Sequence, residues 1–196
     1  MPKQVDHQAR RRQIADALLR IIDREGLEAV SLRHVAAEAG VSMGRIQHYF
    51  ATKDQMMIFA LVHVHERIYQ RVDACLDPRS PRDLIRSAII EMLPLDDERR
   101  TEARIALAFL ARSAVEPAFA ATLREGYPYH AVFFAEQIRR AQRAGQAPAD
   151  LVPEREAVIL FAITQGLVNP TLIGHHTQET VVDAVDHHLD RIFGGG

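Results

Sequence analysis

An all-α fold is predicted by three features of this chain. Apolar residues recur three and four positions apart along most of its 196 residues, the spacing of a single buried face on a helix. No segment alternates polar and apolar residues in the way a half-buried strand requires. Glycine and proline mostly punctuate the periodic segments, as helix stops and starts do. About nine helices are expected, divided between residues 1–53 and 54–196.

The first helix is predicted over about residues 8–25, with Ile14, Ala17, Leu18, Ile21 and Ile22 as its buried stripe and Gly26 closing it. Ser31 stands where an N-cap belongs, ahead of a short helix over about 32–39 with Leu32, Val35, Ala36 and Ala39 inside. Gly40 supplies the left-handed backbone of a sharp turn, and Val41 returns to the core. Ser42 then caps a third helix whose Ile46, Tyr49 and Phe50 point inward. A fourth helix over about 53–76 carries Met57, Ala60, Leu61, Val64, Ile68 and Val72 on its inner side. At ~1.5 Å per residue it is on the order of 35 Å long, which suits a strut between the two parts of the chain. The breaker-rich run Asp77, Pro78, Arg79, Ser80, Pro81 is the clearest boundary, with Ser80 as the next cap and Pro81 in the first helical turn. Beyond it, helices are expected over about 81–93 and 97–115, then one running to residue 144 with a break near Gly126, Tyr127 and Pro128, and two more over about 154–173 and 178–193. The closing glycines are expected to fray.

Residues 31–53 have the grammar of a helix-turn-helix, with small Ala36 letting the two helices cross closely. The second of these helices leaves Ser42, Met43, Arg45, Gln47 and His48 facing outward, a mixed set of donors of the kind that reads a major groove. Gly44 leaves room for a phosphate backbone. Arg45, Gln47 and His48 are expected at base edges, and Ser31, Ser42, Tyr49 and Lys53 on phosphates, where the start of the fourth helix also points. The competing reading is an ordinary helix pair in an all-helical core.

The segment resembles the DNA-binding domain of the TetR family of bacterial transcriptional regulators. The resemblance lies in Ser31 and Leu32 opening the helix, Val35 and Ala36, the run Ala39, Gly40, Val41, Ser42 through the turn, then Gly44, Ile46, Tyr49, Phe50 and Lys53. Gln47 departs from it, standing where many members carry an aromatic residue. The His48, Tyr49, Phe50 ending is similar to that of the betaine-regulator branch, whose ligand is choline. The resemblance implies a DNA-binding domain over 1–53, a ligand-binding and dimerisation domain over 54–196, and a homodimer on a palindromic double-stranded operator that answers to a small molecule.

Composition agrees. Hydrophobic residues make up 47% of the chain and none of its apolar runs is long enough to span a bilayer, so a globular, cytoplasmic protein without a membrane partner is expected. The lone Cys75 allows no internal disulfide. The formal net charge is only -2, but residues 1–55 hold nine Lys and Arg against seven Asp and Glu, leaving 15 against 19 for the remainder. Lys3, Arg10, Arg11 and Arg12 face only Asp6 near the start. They read either as a basic arm along phosphates or in a minor groove, or as a solvated tail.

Residues 157–163 are apolar nearly all round, more than one protomer's core requires, so a partner subunit is the expected cover. The predicted interface takes Val158, Phe161 and Ala162 from this helix and Val181, Val185, His188, Leu189 and Ile192 from the last, arranged as a four-helix bundle with the partner's copies. A ligand cavity is expected among the helices over about 81–93, 97–115 and up to 144, with Phe109, Tyr127 and Phe133 among its aromatic walls and Glu91 and Arg112 as polar anchors. Phe119, Tyr129, Phe134 and Glu102 are further candidates, and all the aromatics also read as plain core.

The ten histidines do not make a metal site. His63 and His65 diverge on one helix, and the adjacent pairs His175–His176 and His187–His188 diverge as well. No cofactor motif, nucleophile elbow or phosphate-cradling loop is present, so an enzyme is not expected. The expected function is a ligand-responsive, homodimeric transcriptional repressor. The alternative is an all-helical small-molecule-binding or structural protein that reads no DNA sequence.

Overall fold

The computed structural model describes the backbone of residues 2–74 and 80–194, and their side chains apart from 2–6, 73 and 126–128. Cys75, residues 77–79 of the expected boundary, the last two glycines, and the side chains of Lys3, Asp6 and Tyr127 lie outside the described residues. The described chain is all-α. Its helices are α1 (Pro2–Glu25), α2 (Leu32–Glu38), α3 (Met43–Tyr49), α4 (Lys53–Ala74), α5 (Pro81–Met92), α6 (Asp97–Ser113), α7 (Pro117–Arg143), α8 (Pro153–Leu172) and α9 (Gln178–Phe193), with one 3-10 turn at Leu27–Ala29. The chain forms two compact units, one of Met1–Arg67 with Arg104–Ala120 and the other of Ile68–Ala103 with Ala121–Gly196.

In the first unit α1 packs on α2, and α2 on α3. Ile14, Leu18 and Ile21 of α1, Val35 of α2, Ile46 of α3 and Met57, Leu61 and Val64 of α4 are all fully or almost fully buried. Each such side chain taken out of water contributes roughly 1.5–3 kcal/mol. Arg20 and Arg24 of α1 both bond Glu38 at the end of α2, at 2.7 and 3.1 Å. Arg104 of α6 pairs with Asp23. Helix α1 begins at Pro2, well before the expected start, so the basic stretch near the N-terminus is helical. Within it Arg11 does not reach outward. Its guanidinium lies 4.2 Å from the centre of the Phe59 ring and 5.0 Å from that of Phe50, a cation–π contact that ties α1 to α4.

Buried residues of the second unit form a shared hydrophobic core. Ile85 and Ile89 of α5, Phe134 and Ile138 of α7, Leu160 of α8, and Val181, Val185, Leu189 and Ile192 of α9 are its centre. Arg86 of α5 bonds Asp186 of α9 at 2.6 and 3.0 Å, and holds that carboxyl below its ordinary range. Two expectations are corrected here. The break near Pro128 is absent, since α7 runs unbroken from Pro117 to Arg143. One proline removes a single donor from the ladder, and a helix of this length tolerates the loss when its flanks are packed. The second correction concerns Val181, Val185, Leu189 and Ile192. They are at most 3% exposed inside a single chain and cannot also face a partner. Their stripe is spent on α5, against which α9 packs.

Candidate nucleic-acid interface

The turn between α2 and α3 is set by one glycine. Gly40 sits at φ +64°, and the amides of Gly40 and Val41 donate to the carbonyls of Ala37 and Ala36 at 3.2 and 3.0 Å, the paired bonds of a Schellman stop. A side chain at this position would be forced into the left-handed region, which costs about 1 kcal/mol or more. Ala36 is buried at the crossing. The Ser31 hydroxyl accepts from the His34 amide at 3.1 Å and the Ser42 hydroxyl from the Arg45 amide at 3.2 Å, so each short helix has its expected cap.

Helix α3 buries Ile46 as its one anchor and presents Met43, Gly44, Arg45, Gln47 and His48 to solvent. A Cβ added at Gly44 would meet nothing within 4 Å, so that side of the helix is open. Tyr49 is half-buried, with its ring centre 4.7 Å from that of His7 and 5.1 Å from that of His48. His7 belongs to α1, so the start of the first helix braces the end of the third. This residue was missed in the sequence, because nothing in its local pattern shows that α1 reaches so far.

Lys53 opens α4 and is half-buried, while Ser31 and Ser42 are exposed. The start of α4 is held by two side-chain caps: Thr52 accepts from the Gln55 amide at 3.1 Å, and the Gln55 side chain accepts from the Ala51 amide at 3.0 Å, one residue before the cap. The spacing of Thr52 and Gln55 is legible in the sequence and was overlooked. Arg112 of α6 reaches Asp54 in the first turn of α4 at 3.4 Å.

The expected ligand residues are scattered. Phe109 is fully buried against Phe119, their ring centres 5.8 Å apart, and both sit in the first unit with Arg112. Glu91 belongs to the second unit but is bonded by Arg71 at 2.8 Å and approached by Arg99 at 3.4 Å. Arg71 also bonds buried Glu102, at 2.6 Å. Burial alone would lower the Arg71 pKa, yet the bonds it donates to Glu102 and Glu91 hold it above the ordinary guanidinium value. Phe133 does line a small cavity, in the company of Ile68, Tyr69, Val72, Ala88, Met92, Tyr129 and His130. Phe109, Arg112 and Glu91 are not among its walls.

Two short helices joined by a left-handed glycine, with one helix face left open and polar, define a helix-turn-helix protein. Residues 14–58 match the domain described as bacterial regulatory proteins of the tetR family, and residues 81–194 match the C-terminal domain of BetI-type transcriptional repressors. The chain belongs to the TetR family of transcriptional regulators. It is 39% identical over 112 residues to the regulator PksA of Bacillus subtilis (strain 168), a match covering 57% of this chain and 55% of PksA. It is 40% identical over 85 residues to BetI of Burkholderia cenocepacia, covering 41% and 44%. The chain thus aligns with about half the length of the curated relatives it matches. Among solved structures, a transcriptional regulator from a Rhodococcus species superposes with a TM-score of 0.81 at 29% identity, covering 94% of this chain and 96% of the other. A regulator from Saccharomonospora viridis, in complex with choline, gives 0.78 at 25% identity and covers 92% and 93%.

Proposed function

We propose that this chain is a repressor that binds a palindromic DNA operator as a homodimer and leaves it when a small molecule binds the second unit. The observation that carries the reading is the exposed face of α3. Arg45, Gln47 and His48 stand in water on a helix whose opposite side is anchored by Ile46, as base-reading side chains must. Ser31, Ser42, Tyr49 and Lys53 are assigned to phosphates, and Met43 and Gly44 to close approach, with residues 1–53 as the reading domain.

The dimer reading is carried by α8. Ala157, Leu160 and Thr164 are buried on one side of it, whereas Val158 and Ile159 on the other are 63% and 43% exposed, beside exposed Ala162 and half-buried Phe161. An apolar stripe left in water on an outer helix supports a partner copy over it. His188 of α9 is half-buried in the single chain and is kept in the proposed interface. The Saccharomonospora viridis regulator is seen in complex with choline, so choline belongs among the effectors tested.

The test is selection of bound duplexes from a random pool, with sedimentation of the complex. A palindrome with half-sites about one helical turn apart, bound by a dimer or a pair of dimers, is the expected result. No enrichment at low salt would refute the DNA reading and leave a helical small-molecule-binding protein.

A further inference from the structure

We infer that the cavity of the second compact unit accepts a flat, uncharged ring of about phenol size carrying a hydrogen-bonding group, and that the protein's own Tyr129 occupies the place of that ring in its absence. The inference rests on the ligand-responsive reading above and deepens it by naming the ligand class. As it stands the cavity has a volume of about 10 Å³, room for one water at most. What fills it is a pair of rings. The centres of Tyr69 and Tyr129 lie 4.1 Å apart, tilted by 43°. Tyr69 is half-buried, while Tyr129 is 48% exposed. One ring is therefore held by its surroundings and the other has water to swing into. When Tyr129 turns outward it leaves a slot one ring thick against the face of Tyr69, with Phe133, Val72 and Met92 as apolar walls.

The polar edge of the slot is already built. His130 Nε2 lies 3.5 Å from the Tyr69 hydroxyl, and the His130 ring is stacked on Phe161 with centres 5.2 Å apart at 17°. Burial, with a smaller contribution from Tyr129, pushes the Tyr69 hydroxyl up to about 12, so it remains a neutral phenol that donates and accepts. A ligand hydroxyl or ester carbonyl reaching this edge has partners of both kinds.

The walls also decide the charge. Among the described residues they include no carboxylate, lysine or arginine. The nearby acids of the same unit, Glu91 and Glu102, are both bonded to Arg71 and so are not offered to a cation. An ion brought into such a slot would lose its hydration without a counter-charge, whereas a neutral ring loses little. Aromatic faces alone attract quaternary ammonium groups, which makes choline the competing ligand in the test.

The experiment is isothermal titration of the full chain with three probes: methyl 4-hydroxybenzoate, the 4-hydroxybenzoate anion, and choline. The ester should bind, and the anion and choline should bind at least about tenfold more weakly. Tyr129→Ala should bind the ester about two- to tenfold more tightly, because the stack with Tyr69 no longer has to be broken. Tyr69→Leu should bind it at least about tenfold more weakly, with helical content checked by circular dichroism. If that variant does not fold, Tyr129→Ala decides, since its side chain stands half in water. Choline binding more tightly than the ester, no binding of any probe, or an unchanged or weakened Tyr129→Ala would overturn the inference. Operator binding is measured separately. A chain that binds the ester but no operator contradicts the regulator reading alone, and one that binds an operator but no ester contradicts the slot alone.

Discussion

Replacing Arg71 with methionine should destabilise the second unit by about 3 kcal/mol. The guanidinium serves three acids at once, bonding Glu102 at 3.1 and 2.6 Å and Glu91 at 2.8 Å with Glu98 at 3.7 Å, and thereby joins α4 to α5 and α6. Methionine keeps the apolar stem and removes the charge, so the loss is electrostatic rather than a cavity. Glu91 keeps Arg99 at 3.4 Å, but Glu102, whose side chain is only 6% exposed, loses its bidentate partner. Removing one partner of a buried ion pair costs about 3–5 kcal/mol, and the lower end applies because Arg71 itself is 27% exposed and Glu102 has a further interaction. For a chain of this size that corresponds to a fall in melting temperature of about 6–12 °C, read by circular dichroism. The double variant Arg71→Met with Glu102→Gln removes both charges of that pair and should recover much of the loss. A single variant that melts within about 2 °C of the parent, or a double variant less stable than the single, would refute the argument.

Arg45→Ala should lose about 1–3 kcal/mol of preference for the selected operator over random duplex, whereas Lys53→Ala should weaken both alike and flatten the salt slope by about one unit. Competition binding at several salt concentrations separates the two, and a preference untouched by Arg45→Ala would remove that residue from base reading. Val158→Asp puts a charge on a position 63% exposed in the single chain, so it should leave helicity intact and turn the dimer into a monomer in sedimentation. A persistent dimer would place the interface elsewhere. Asp186 supplies a pH test. Its bond to Arg86 holds the carboxyl below the ordinary 3.8, so the stabilisation is complete above 3.8 and is lost as pH falls through the lower folded value. The urea midpoints of the parent and Asp186→Asn should therefore differ at neutral pH and converge in acid, and a gap unchanged well below 3.8 would contradict the assignment.

The reading head was legible because its signals are local. Gly40 can end a helix with a left-handed turn whatever surrounds it, and Ser31 and Ser42 cap with their own hydroxyls. The position of His7 against Tyr49 was not legible, since it depends on how far α1 extends toward α3, and extension at a polar helix start has no sequence signature. The same holds for Arg11. A run of arginines reads as a phosphate arm until the rings of Phe50 and Phe59 are brought beneath one of them.

The second unit shows where periodicity stops informing. A stripe at helical spacing states that a face is buried and says nothing of what buries it. For α9 the cover is α5 of the same chain, so Val181, Val185, Leu189 and Ile192 belong to the fold. For α8 the apolar surplus is real, yet only the exposure of Val158 and Ile159 identifies which half of it is left over. The expected polar anchors Glu91 and Arg112 lie outside the walls of the cavity for a related reason. Glu91 and Arg112 are charged groups on inner helix faces, which suits an anchor and a structural ion pair equally well, and each has its partner within the chain. Tyr69, Tyr129 and His130 come together from two helices, α4 and α7, with no motif in either. A side chain already satisfied by its own protein can hold a ligand only by giving up what it has. The ring pair of Tyr69 and Tyr129, with one member half in water, is where that exchange costs least.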